Sequence, residues 1–278
     1  MIRIKLLAAA ALTALVFLSC NTGETKKEDQ SSTTAGAYIL REETINIPAD
    51  SANLNCYLVY VDSVKTRRPA VLVIPEWWGL VDYPKTRAKE LAKLGYVALA
   101  VDIFGDGRIA RDPREAVALT QPFYMHPEKA KARIDAAIAR LKKYPQVDTM
   151  NIGAIGYCFG GGVLLNTARL GDELKAVVIF HGSLLGTPAR KDLLKTKILV
   201  CHGNSDSFVN PQVAEFKKQM DSIGADYTFI GYDSATHAFT NPESDENGKK
   251  YKMPIAYNPK ADTASWDAMK DFFNKNLR

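Results

Sequence analysis

Hydrophobic and polar positions change rhythm along the chain. Two stretches near the start, "AYILREETINIP" and "NLNCYLVYV", alternate and are separated by a turn. No helical pattern follows either one, so they predict an antiparallel strand pair. Beyond residue 68, short and almost wholly apolar runs take turns with amphipathic ones. "PAVLVIPE", "YVALAVDIF", "MNIGAIGYC", "LKAVVIFHG", "TKILVCHG" and "ADYTFIGY" read as strands. "DYPKTRAKELAKLG", "PEKAKARIDAAIARLKKYP", "GGVLLNTARL", "PQVAEFKKQMDSIG" and "ADTASWDAMKDFFNKNL" read as helices, with a shorter one over 113–120. In the last helix Trp266, Met269, Phe273 and Leu277 sit at helical spacing and predict one buried stripe.

A strand that is apolar throughout needs cover on both faces. The pattern therefore predicts an α/β fold: a mostly parallel, doubly wound sheet with helices on both faces and an antiparallel strand pair at its N-terminal end. Residues 38–278 contain no repeat and no linker and are expected to form a single domain. Two long insertions, 104–127 and 238–262, follow strand ends, where open parallel sheets bind ligands.

The first residues follow another logic. Arg3 and Lys5 precede an apolar stretch that runs to Leu18, the pattern of a signal peptide over 1–19. Ser19 and Cys20 then resemble the end of a bacterial lipoprotein signal, which makes Cys20 the expected lipidation site; the alternative is an ordinary secreted protein. Residues 20–37 are polar and cannot bury enough apolar surface to fold, so they read as a flexible tether. The expected location is outside the cytoplasm, membrane-attached only through an N-terminal lipid anchor. An export route permits disulfides, and Cys56 and Cys201 could pair or could each be a small core residue.

Composition narrows the function. Of 278 residues 46% are hydrophobic and 24% charged, and the net charge of +5 is scattered. With no basic block and no basic-aromatic stripe, no nucleic-acid partner is expected. The four histidines, His126, His181, His202 and His237, lack metal-ligand spacing, so no metal is expected; no organic cofactor is expected either.

The candidate chemistry begins at Cys158, in G-Y-C-F-G where a strand gives way to a helix. A nucleophile elbow needs small neighbours around a strained turn, and the following helix N-terminus favours a thiolate and an oxyanion. A packed core cysteine is the competing reading. His237 in "DSATHAFTNP" and Asp206 in "CHGNSDSFVNP" follow the last two strands. The order nucleophile, acid, base is that of an α/β-hydrolase. His202 is expected to hydrogen-bond the acid loop, His126 to be exposed or else to touch substrate, and His181 to line the pocket or cap its strand. Asp233 lies nearer His237 in sequence, but these loops must meet in space. Glu76 ends a strand on the same edge, as a proton acceptor or as a solvated strand end. Trp77 and Trp78 read as an apolar wall or as core packing.

These segments together resemble the dienelactone hydrolase family over about residues 40–277: G-Y-C-F-G-G, "HGNSD", "THAF", "VIPEWWGL" and "VDIFGDG". The resemblance implies an α/β-hydrolase fold with Cys158, Asp206 and His237 as catalytic residues. It further implies that Glu76 pairs with the resting cysteine and that the amides of Trp77 and Phe159 form an oxyanion hole. It also implies an arginine for a substrate carboxylate in the loop after "VD", with Arg108 the first candidate and Arg111 the second. The expected activity is hydrolysis of a small-molecule ester or lactone through a cysteine thioester, with Trp78, Arg108 and His181 as substrate-binding residues. A noncatalytic cell-surface binding protein, or a carbohydrate-ester or peptide hydrolase, are the alternatives.

Overall fold

The computed structural model describes residues 39–278; the leader, the tether and Cys20 lie outside the described residues. Strands β1 (Leu40–Ala49) and β2 (Ala52–Val61) form the expected hairpin, and β3 (Arg68–Ile74), β4 (Val97–Ala100), β5 (Val147–Tyr157), β6 (Ala176–Phe180), β7 (Lys197–Gly203) and β8 (Tyr227–Tyr232) complete one sheet. Its order is β1-β2-β4-β3-β5-β6-β7-β8. β1 and β2 run antiparallel, β2 meets β4 antiparallel, and every pair from β4 through β8 is parallel. This is the α/β-hydrolase fold.

The apolar runs explain the two-sided cover. Alternate residues of β5 point oppositely, Ile152 and Ala154 into one core, Ile155 and Tyr157 into the other. Helices α1 (Asp82–Lys93) and α7 (Pro259–Leu277) seal the second core, where Leu91, Met269, Phe273 and Leu277 are all fully buried. On the other face lie α2 (Pro113–Met125), α3 (Pro127–Leu141), α4 (Phe159–Arg169) and α5 (Val213–Ser222).

Three details depart from the sequence reading. Helix α2 runs past residue 120 to Met125, through Pro122. Asp112 caps its start by accepting from the Glu115 amide, and buried Phe123 packs on Phe104 and Phe159, so packing outweighs the proline. The second insertion holds an unexpected helix, α6 (Ser244–Tyr251). Its sequence, SDENGKKY, has no apolar period to reveal it. Tertiary contacts support it instead: Ser244 donates to the Ala238 carbonyl, Asp245 accepts from the Tyr257 amide, and Tyr251 stacks against Trp78. Finally, Cys56 and Cys201 are free and buried. They sit on β2 and β7, with four strands between them, far beyond disulfide reach.

Candidate active site

Residue 158 enters the site through its backbone. Cys158 has φ 50° and ψ −113°, a conformation costly for a side chain. The strain turns the sulfur away from the sheet at the start of α4. Such a sharp turn presses backbone onto backbone. A Cβ at Gly156 would lie 2.4 Å from the Gly160 carbonyl oxygen, and one at Gly160 would lie 2.4 Å from that of Ile74. The two glycines flanking Cys158 are therefore a steric requirement of the turn.

Parallel strands deliver the partners. Glu76 follows β3, Cys158 follows β5, Asp206 follows β7 and His237 follows β8, all at C-terminal strand ends and hence on one edge of the sheet. His237 Nε2 lies 3.0 Å from Cys158 Sγ, and its Nδ1 lies 2.7 Å from Asp206 Oδ2. Asp206 is fully buried, and its Oδ1 accepts from the amides of Phe208 and Val209 at 2.9 and 3.1 Å. That leaves the carboxylate one free direction, toward the imidazole. Burial disfavours a charged His237, but the adjoining Cys158 sulfur and the Asp206 carboxylate outweigh it and hold the imidazole well above the usual histidine range. Burial pushes the other two thiols among the described residues, Cys56 and Cys201, up to about 12, which keeps them protonated.

Glu76 lines the same pocket but makes no hydrogen bond to Cys158 among the described residues; its Oε2 accepts from Asn241 Nδ2 at 2.7 Å. Burial raises its carboxyl to about 7. The turn after Glu76 is closed by the Gly79 amide on the Glu76 carbonyl and pinned by the Ala110 amide on that of Trp78. The amides of Trp77 and Phe159 have no acceptor among the described residues, and that of Phe159 opens α4. Two unpaired N–H groups beside a sulfur can hold a developing oxyanion.

The pocket has a volume of about 170 Å³. Trp77, Trp78, Phe208, Met253 and Ile255 supply apolar surface, and Asn241, Ser244 and Asn247 supply neutral polar groups. Phe208, Asn241 and the α6 wall were not found from sequence. An aromatic residue amid "NSDSFVNP" was the one signal available; the α6 residues gave none, because they carry no period.

Two expected contacts are corrected. Arg108 does not line the pocket: its guanidinium folds back on its own tight turn and donates to the Phe104 and Gly105 carbonyls. Arg111 is likewise exposed and paired with Glu115. His181 is fully buried and lies behind His237, with a ring-centroid separation of 5.4 Å, instead of facing the pocket. Its φ of 41° turns the ring inward against Phe239, and burial followed by the neighbouring His237 charge keeps its pKa well below the usual value. His181 Nε2 pairs with Thr240 Oγ1 at 2.8 Å, while Tyr83 and Arg87 donate to the Thr240 carbonyl. These bonds fix the loop that carries His237 and Asn241. The remaining histidines lie away from the sulfur: His202 bonds Asn210, and exposed His126 pairs with Glu128. Asp233 accepts from Asn204.

The sequence profile of the dienelactone hydrolase family matches residues 54–277. The chain belongs to the dienelactone hydrolase family. A crystal structure of a dienelactone hydrolase-like promiscuous phosphotriesterase from metagenomic libraries is 30% identical, covers 86% of this chain and 99% of its own, and superimposes with a TM-score of 0.79. A structure named m3DLH is 32% identical with the same coverage and a TM-score of 0.81. A Bradyrhizobium protein named as a probable 2-oxo-3-(5-oxofuran-2-ylidene)propanoate lactonase is 29% identical over 73% of this chain and 82% of its own. Membership makes the chain an α/β-hydrolase and supports ester or lactone hydrolysis as its general activity.

Proposed function

We propose that this member of the dienelactone hydrolase family cleaves small-molecule esters or lactones through a thioester on Cys158. The observation that carries the reading is the linked row Cys158 Sγ–His237–Asp206, with separations of 3.0 and 2.7 Å, at the floor of an apolar pocket. The thiol proton passes to His237 Nε2, and the thiolate attacks the carbonyl carbon. The Trp77 and Phe159 amides receive the oxyanion. Collapse breaks the carbon–oxygen bond, and His237 returns the proton to the departing alkoxide. In the second half His237 takes a proton from water, the hydroxide attacks the thioester, and the thiolate leaves as the acid forms. Glu76, held by Asn241, stands ready as a second proton carrier beside the sulfur.

A thiolate leaves more readily than an alkoxide, so lactones and activated esters suit this centre better than amides. The test is hydrolysis of p-nitrophenyl esters, with acid-quenched intact mass to trap the acyl-enzyme. Wild type gains the acyl mass, and Cys158→Ala loses both the adduct and at least about 10³-fold in kcat/KM. Equal turnover by Cys158→Ala would overturn the reading.

The proposal extends to location. The charged start, the apolar run to Leu18 and the Ser19–Cys20 pair support export with a lipid on Cys20, and the polar residues 20–37 support a tether between anchor and enzyme.

A further inference from the structure

We propose, resting on the hydrolase reading above, that the pocket selects uncharged substrates: a short apolar acyl or ring group of a neutral ester or lactone enters beside Cys158, and a substrate carrying a carboxylate there is refused. Six aromatic and aliphatic side chains line the cavity, and its polar groups, Asn241, Ser244 and Asn247, are neutral. Apart from Cys158 and His237, the one ionisable lining side chain among the described residues is Glu76, an acid that offers a carboxylate no cation. Among the described residues no lysine or arginine lines the pocket.

The nearby arginines are committed elsewhere. Arg108 is bound to carbonyls of its own turn, and Arg111 to Glu115. Arg87 is bound to Glu90, Asp262 and the Thr240 carbonyl. Lys249, Lys250 and Lys252, in α6 and at its end, are exposed. The charge on His237 is already answered by Asp206 on one side and by the Cys158 sulfur on the other. A carboxylate entering this space would give up its hydration and gain no cation, a strongly unfavourable exchange.

The matched probes are p-nitrophenyl butyrate, mono-p-nitrophenyl succinate, and the methyl ester of that succinate. Wild type is expected to favour the butyrate over the charged succinate by about 100-fold in kcat/KM. Methyl capping is expected to restore most of the loss. Asn247→Lys and Met253→Lys, each placing a cation in the wall, are expected to narrow the ratio at least tenfold. A wild-type ratio below tenfold, or a ratio moved by neither lysine, would overturn the inference while Cys158-dependent turnover left the hydrolase reading standing. Cleavage of none of the three esters would sink the hydrolase reading, and the selectivity with it.

Discussion

Glu76 is a carboxyl group held out of water beside a sulfur and an imidazole, and its ionisation is coupled to folding. Burial raises it from 4.5 to about 7, against the hydrogen bond from Asn241 that favours the charged form. Below the unfolded value both states carry the proton, and the fold keeps its full stability. As pH rises from about 4.5 to 7, the unfolded chain releases its proton first and the fold is progressively penalised, by about 3 kcal/mol in all. Urea unfolding across that window should show wild type losing this stability, and Glu76→Gln should flatten the difference. Parallel pH profiles for the two proteins would contradict the assignment. The residue types and strand-end positions of Cys158, Asp206, His237 and Glu76 were readable because each follows an apolar run. The fate of Arg108 was not readable, because a guanidinium takes whatever carbonyls its turn leaves open.

At the scale of elements, the elbow is a contact between the start of α4 and the end of β3. A methyl group at residue 160 would meet the carbonyl oxygens of Ile74 and Pro75 at 2.4 and 2.6 Å, both backbone atoms that cannot rotate away. Gly160→Ala is expected to cost about 2–3 kcal/mol and most of the activity, by pushing Cys158 away from the Trp77 amide. Gly162→Ala meets nothing closer than 3.3 Å and should change stability by less than about 1 kcal/mol, which thermal unfolding of the pair would check. Strands were legible here because burial on both faces writes a continuous apolar word. Helix α6 was illegible for the opposite reason: its eight residues are held by Trp78, Ala238 and Tyr257, contacts made from distant parts of the chain.

For the whole molecule, sheet topology does the gathering. Residues 76, 158, 206 and 237 are far apart in sequence, yet parallel strands bring their C-terminal ends to one rim. That much followed from the alternation of apolar and amphipathic runs, whereas the depth and composition of the pocket depended on how the second insertion folds back. Among the described residues no helix is long and apolar enough to cross a membrane. The export proposal places attachment at Cys20. Fractionation of cells making the full chain should find wild type with membranes and Cys20→Ser released from them. A full-length chain that keeps Met1 and stays in the cytosol would refute the export proposal.

The reaction centre and its enclosure come from different parts of this architecture. Cys158 is fixed by backbone packed against backbone, while Asn247, Met253 and Ile255 belong to a segment that is bridged at Ile255 to the loop of His237. Ile255 is bridged to His237 and Ala256 is bonded to Thr236, so exchanging residues 244–257 among relatives would retune the pocket wall and the histidine loop together.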